Sequence, residues 1–227
     1  LVNVFKEVKR VLRDDGTLWL NMGDTYKEKQ LLGIPWRTAL ALQEDKWFLR
    51  ADIIWNKPAV MPNSVKDRVT ITHEYIFLLS KNVKYYYDHE AIKEDSKFPN
   101  GPTAAHAIRK GSEDPLMHTR AGLHKVGPLA KRNKRSVWTI TTKPFKGAHF
   151  ATFPKDLIEP CVLAGCPEGG TVLDPFGGSG TTGIVAAGHN RNAVLLELNA
   201  EYIELAKARI EKDMGMFVEL KVEMKDD

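Results

Sequence analysis

The sequence is poor in several things that would each have set its class. It has two cysteines, Cys161 and Cys166. That is too few for a disulfide framework or for the four ligands of structural zinc, so both are expected to be small, buried, apolar residues. No window approaches the roughly 18 consecutive apolar residues of a spanning helix. The opening LVNVFKEVKRVLRDDG has neither the apolar core of a signal peptide nor a small-residue cleavage site, and the expectation is a cytoplasmic protein. There is no compositional bias toward disorder or a collagen repeat: 43% of the 227 residues are apolar and 27% charged. At about 100 to 200 residues per domain, this length makes one large domain, or one domain with a lobe, that can bury a proper core.

The chain does have an uneven distribution of charge. The net charge is +4 from 33 Lys and Arg against 29 Asp and Glu. Residues 97–146 hold eleven of the basic residues and only Glu113 and Asp114 as acids, a net of +9, which leaves −5 on the remainder. A mildly acidic body carrying one strongly basic insert fits a polyanionic partner.

Periodicity outlines the body. Leu1, Phe5, Val8 and Leu12 share one face of a helix, which Asp14-Asp15-Gly16 stops. Thr17 to Asn21 reads as a buried strand, and a second helix runs from Pro35 to about Gln43 with Ile34, Ala41 and Leu42 on its apolar face. Phe48 to Trp55 and Glu74 to Leu79 read as neighbouring strands, joined by a Pro-containing loop that carries Lys57, Lys66 and Arg68. Tyr85-Tyr86-Tyr87 is expected to continue the second of these along an edge. From about Asp95 to His149 the pattern dissolves, apart from Ser136 to Ile140. It resumes with a helix at Lys155 to Ala164, a strand at Thr171 to Leu173, a glycine turn, a helix at Thr181 to Ala187, a strand at Ala193 to Leu198 and a helix at Ala200 to Glu211. Strands alternating with helices imply an α/β domain built on a parallel sheet.

The sharpest chemical feature is the turn between those last two strands. Gly177, Gly178 and Gly180 lack Cβ, so a ligand can approach the main chain closely where a helix begins. Glu197, at the end of the next strand, can accept hydrogen bonds from ribose hydroxyls, which together fits a nucleoside-containing cofactor. Gly178, Gly180 and Gly183 also match the dinucleotide fingerprint, and the glycines alone leave both cofactors open. The flank separates them: Asp174 would repel a pyrophosphate, whereas a sulfonium or an ammonium favours a carboxylate there. S-adenosylmethionine is therefore the expected cofactor, ahead of a dinucleotide or a glycine turn without a ligand.

These residues resemble a family, the permuted DNA methyltransferases that modify N4 of cytosine or N6 of adenine. DPFGGSGTT, Asp174 to Thr182, is similar to the family's cofactor motif; HFATFPKDLIEPCVLAGCPEGG resembles the segment before it, and LLELNAEYIELAKARI resembles the ribose-binding acid with its helix. LWLNMGDTY, IPWRTALALQ, RADIIWNKP and HEYIFLLSK are similar to the catalytic half. The resemblance implies a doubly wound, mostly parallel sheet of the S-adenosylmethionine-dependent methyltransferase type, divided into a catalytic half at 1–94, a basic target-recognition insert at 95–148 and a cofactor half at 149–227. It implies that Phe153 and Pro154 line the methionine end of the cofactor, that Asp174, Phe176, Gly178, Gly180, Thr181 and Thr182 contact it, and that Glu197 holds its ribose.

The partner implied is double-stranded DNA, in the bacterial or phage setting of restriction and modification with a cognate nuclease. Arg109, Lys110, Arg120, Lys125, Lys131, Arg132, Lys134 and Arg135 are the expected DNA contacts, since each can neutralise a phosphate, and Trp138 is the aromatic expected at a base or sugar unless it belongs to a core. Asp24, closing a strand, would line the active cleft or else cap a turn or helix. His73-Glu74 reads as a polar strand boundary, and Trp19, Trp36, Trp47 and Trp55 as packing. The family's catalytic signature, an acid, Asn or Ser before Pro-Pro-aromatic, occurs nowhere in the chain. The catalytic residues are therefore unknown, and the expectation is a chain truncated at its N-terminus, with two strands missing, little turnover and an exposed sheet centre. A non-catalytic module binding DNA and cofactor, or an RNA methyltransferase on the same fold, are the rival readings.

Overall fold

A computed structural model describes residues 1–96, 130–142, 152–215 and 218–223. The chain divides into two compact units, Leu1–Asp88 with Ser136–Asp227, and His89–Arg135. In chain order the elements are α1 (Val2–Val11), β1 (Thr17–Met22), the small hairpin β2 (Tyr26–Lys27) and β3 (Gln30–Leu31), α2 (Ile34–Glu44), β4 (Phe48–Asn56), β5 (His73–Ser80), β6 (Glu94–Asp95), β7 (Lys131–Arg132), β8 (Val137–Thr139), α3 (Lys155–Gly165), β9 (Thr171–Asp174), α4 (Thr181–Gly188), β10 (Asn192–Leu195) and α5 (Ala200–Met214). The expected helices and strands of the body are all present. The exception is the tyrosine run: β5 stops at Ser80, and Tyr87 stacks on Trp19 with ring centroids 6.3 Å apart instead of extending a strand.

In the first unit β1, β5, β4 and β8 form one sheet in that order. β1 and β4 each pair antiparallel with β5, and β8 pairs parallel with β4. The α/β class holds, but the sheet is mixed: β1, β4 and β8 share a direction and β5 opposes them. The cause is the connection. β4 returns to β5 through the loop 57–72 without a helix, and a parallel return needs a crossover of a dozen or more residues, usually helical. β9 and β10 form a second, parallel pair around α4, a βαβ unit. Among the described residues β1 and β9 are not hydrogen-bonded to one another, and each has one unpaired edge.

Alternation along the strands separates two cores. Leu18, Leu20, Leu49, Tyr75, Phe77 and Leu79 meet Phe5 and Val8 of α1 and Ala39 and Leu42 of α2, and Leu173 of β9 packs against the same cluster. Trp19, Ile53, Trp55, Ile76 and Trp138 point the other way, onto Leu157 and Cys161 of α3. Successive strand residues face opposite sides, so one short sheet supports helices on both. The inner face of α2 is Pro35, Ala39 and Leu42; Leu42 was expected there, whereas Ala41 is only half-buried. Both cysteines are buried and free. Burial pushes the Cys166 thiol up, against the opposing effect of the Arg191 and Arg13 charges. Trp138 is 5% exposed inside the second core, so of the two roles weighed for it, a base or sugar contact or a core, the structure shows the core: its register partner is Trp55 on β4. None of the described helices is long and apolar enough to cross a membrane.

In the second unit, β6 pairs antiparallel with β7. Most of the basic insert lies outside the described residues, including Arg109, Lys110, Arg120 and Lys125.

Candidate functional site

The turn after β9 is built by its own backbone and one acid. The main chain of β10 carries past its last paired residue, with Leu196 N donating to Asp174 O at 2.9 Å and Gly177 N donating to Leu196 O at 2.8 Å. That approach needs a glycine, because a Cβ on residue 177 would stand 2.9 Å from the Leu195 Cβ. Asp174 then organises the turn. Its Oδ1 accepts from Phe176 N at 3.0 Å and its Oδ2 accepts from the Thr182 hydroxyl at 2.6 Å. Gly178 and Gly180 both have positive φ, +48° and +76°, which non-glycine residues enter only at a cost. Their surroundings differ. A Cβ on residue 180 would meet Ala206 of α5 at 2.9 Å, whereas on residue 178 the nearest atom would be Phe176 O at 3.7 Å. Gly180 is thus packed and Gly178 opens outward.

Glu197 locks the other side. Its Oε2 accepts from Gly178 N at 2.8 Å, and its Oε1 accepts from Leu198 N and Asn199 N, both at 2.9 Å. Since a carboxylate offers about four acceptor sites, three are occupied and Oε2 retains one. Asn199 caps α5 by accepting from Glu201 N at 2.9 Å, and α5 returns Arg209 to the turn, where Nη1 donates to Ser179 O and to the Thr181 hydroxyl. Burial lowers the Arg209 pKa, with the Asp213 charge opposing, yet arginine remains charged in proteins.

The expected cofactor residues therefore separate. Asp174, Gly178 and Glu197 are joined in one hydrogen-bonded turn. Phe176 is 54% exposed and meets Phe5 of α1 edge-on at 6.3 Å. Thr181 and Thr182 are buried and hold the turn from inside. Phe153 packs against the Ile53, Trp55 and Trp138 cluster, and Pro154 is the buried N-cap of α3. No hydrogen bond or ring contact joins either to the 174–182 turn among the described residues. Arg209 and the inward Thr182 hydroxyl were not foreseen. An arginine on a helix carries no local sign that it will reach a carbonyl about 30 residues upstream.

Asp24 makes capping bonds: its Oδ1 accepts from Thr25 N at 2.9 Å and from Ile34 N, the first residue of α2, at 3.1 Å. Arg132 and Arg135 are engaged within their own unit, with Nε atoms 2.9 and 2.6 Å from Glu94 Oε1. Burial works against the Glu94 charge, but the hydrogen bonds and charges of Arg135 and Arg132 outweigh it and hold the carboxyl below its usual range. Lys131 is exposed and Lys134 half-buried. A cavity of about 560 Å³ lined by Lys9, Trp47, Arg50 and Lys81 lies at the amino ends of β1 and β4, away from the glycine turn. Among the described residues no cluster of His, Cys, Asp and Glu could hold a metal.

A βαβ unit whose first turn is glycine-rich and whose second strand is followed by a preorganised acid defines a nucleoside-cofactor site of the α/β class. A family model for DNA methylases matches residues 1–208, and the chain belongs to that family. It is 46% identical over 239 residues to the type II methyltransferase M.SmaI of Serratia marcescens, covering 92% of this chain and 72% of that protein. It is 45% identical over 240 residues to the type II methyltransferase M.Cfr9I of Citrobacter freundii, with 93% and 70% covered. In fold it is similar to the cytosine-N4-specific PvuII DNA methyltransferase, with a TM-score of 0.68, 20% identity and 95% of this chain against 75% of that one. It is also similar to M1.HpyAVI in its complex with SAM, with a TM-score of 0.63, 19% identity and coverages of 92% and 82%.

Proposed function

We propose that this chain binds S-adenosylmethionine on the Asp174–Glu197 turn and serves transfer of its methyl group to the exocyclic amino nitrogen of cytosine or adenine in duplex DNA. The observation that carries the reading is Glu197, fixed by three backbone N–H groups with an acceptor position left for a ribose hydroxyl. The open side of Gly178 admits a ligand to the main chain, and Asp174 places negative charge where the cofactor is cationic. A pyrophosphate would meet the two acids with no cation of the turn facing it, since Arg209 is turned onto Ser179 and Thr181. When bound, the cofactor supplies an electrophilic methyl on sulfur. The chain's own residues bind and orient it: Glu197 through the ribose, Asp174 through charge, Phe176 through its exposed ring. Lys131 and Lys134, with Arg109, Lys110, Arg120 and Lys125, are proposed to meet phosphates; Arg132 and Arg135 do so only by sharing their charge with Glu94. A duplex hides the amino nitrogen, so the target nucleotide must leave the stack.

Cofactor uptake is the primary test, because it depends on residues this chain has. Calorimetric titration is expected to show one S-adenosylmethionine per chain and no uptake of nicotinamide dinucleotide; the reverse overturns the reading. Labelled methyl transfer to duplex, single strands and RNA, with mass spectrometry of the product nucleosides, then identifies substrate and base. The lack of a Pro-Pro-aromatic tetrapeptide favours one second reading, a module that binds cofactor and DNA without turnover, and uptake without any transfer would select it.

A further inference from the structure

We propose that the β4–β5 loop, residues 57–72, is a second duplex contact, in which Met61 enters the space that the target nucleotide leaves in the base stack and Lys66 and Arg68 meet the flanking phosphates. The inference rests on the methyltransferase reading and deepens it.

The loop stands at the carboxyl ends of β1 and β4, the end at which α/β sheets take ligands. Its base is closed by a hydrogen bond from Lys57 N to Thr72 O of 2.7 Å. Lys57 is fixed there twice, its ammonium on the Glu74 carboxylate and 4.5 Å over the Trp55 ring. A Cβ on Gly23 would lie 3.4 Å from Glu74, so the pair is packed between the ends of three strands and acts as a positioning pair for the loop.

Beyond this stem, none of residues 58–71 joins a described core cluster. Met61 is 90% exposed and Val69 84%. A single exposed apolar side chain is ordinary; two on one cationic loop, with Met61 held directly before Pro62, are a presented surface. The loop carries Lys57, Lys66 and Arg68 against Asp67; Glu74 balances Lys57 and Asp67 pairs with Arg68, which leaves Lys66 as the loop's unbalanced charge. Arg68 is held 4.2 Å over the Tyr26 ring and 2.9 Å from Asp67 Oδ1, and Asn63 Oδ1 accepts from Val65 N at 3.0 Å to turn the chain just after Met61. A flipped nucleotide leaves an apolar void of base size, and proteins that distort duplexes insert Met, Leu, Phe, Ile or Pro between base steps. An unbranched thioether adapts to such a space. A lysine and an arginine beside it are placed for the phosphates.

The test starts from duplexes that the full wild-type chain selects out of a random pool in the presence of S-adenosylhomocysteine, with 2-aminopurine scanned through the selected sequence. Met61→Ala is expected to weaken the selected duplex about tenfold, the scale of one lost stacking contact. It should leave single-strand affinity unchanged and reduce the 2-aminopurine emission rise at the target position, while Met61→Phe restores both. Lys66→Gln should lower the salt slope of duplex binding by about 0.9. Because Met61 and Lys66 are solvent-facing, the melting temperatures should match wild type. Met61→Ala binding and emission equal to wild type, an equal loss on single strands, or failure of the wild-type chain to select any duplex overturns the proposal. Wild-type chain that takes up no S-adenosylmethionine overturns the methyltransferase reading instead.

Discussion

The two positive-φ glycines of the cofactor turn should respond to alanine in opposite ways, and the contrast separates scaffold from cradle. At Gly180 a Cβ meets two obstacles. The left-handed backbone costs about 1–2 kcal/mol for a non-glycine residue. The contact with Ala206, 2.9 Å to its Cβ and 3.2 Å to its Cα, is backbone-anchored and cannot yield by rotating a side chain, which adds about 1–3 kcal/mol of overpacking. For a chain of this size each kcal/mol lowers the melting temperature by about 2–4 °C, so Gly180→Ala should fall by roughly 4–20 °C. At Gly178 the backbone cost applies but the space is empty, so Gly178→Ala should fall by no more than roughly 8 °C by the same conversion. The new methyl there occupies the side from which the cofactor is proposed to approach. Thermal unfolding without ligand, followed by calorimetric titration with S-adenosylmethionine, reads both effects. Gly178→Ala is expected to lose most of its cofactor affinity, and Gly180→Ala to retain it at temperatures where it is folded. A larger thermal loss in Gly178→Ala, or cofactor affinity unchanged by it, would refute the assignment of cradle and scaffold.

Glu197→Gln leaves one oxygen where two now accept three backbone N–H groups, so it should cost about 1–3 kcal/mol in denaturant unfolding and abolish cofactor uptake, with no rescue at high pH. Glu94 contributes stability that is present above its unfolded pKa of about 4.3 and is lost as pH falls through the depressed folded value; amide exchange at β6 and β7, corrected for intrinsic rates, should accelerate over that acid range and lose its pH dependence in Glu94→Gln. Trp138→Ala empties a site in the second core and should destabilise by about 3–5 kcal/mol in denaturant unfolding; wild-type stability with a loss confined to DNA affinity would contradict the burial described above.

What could be read along the chain was local. The stop of the first helix before Asp14-Asp15-Gly16 is visible within a few residues, and the alternation Tyr75, Phe77, Leu79 against Ile76 fits a strand buried on both faces. The acid, the three glycines and a second acid about 20 residues on mark the proposed cofactor turn, because close approach of a ligand to the main chain at a helix start needs residues without Cβ and a flanking acid favours a cationic ligand. Asp24 was ambiguous for a physical reason: the same short carboxylate that ends a strand can face a ligand or cap a helix, and the capping bond it makes goes to Ile34 N, ten positions on.

Composition, periodicity and turn chemistry by themselves determined the α/β class, the place of nearly every element, the basic insert and the glycine turn with its two acids, since each depends on neighbours within one or two turns of chain. The tertiary structure alone decided that β5 opposes its neighbours, that Gly180 is packed while Gly178 is open, that Arg209 braces Ser179, that Glu94 engages Arg132 and Arg135, and that Trp138 is core. Each of these is a contact between residues about 26 to 83 positions apart, or a direction set by the connection between strands, and charge or aromaticity at one position does not say which distant partner will reach it.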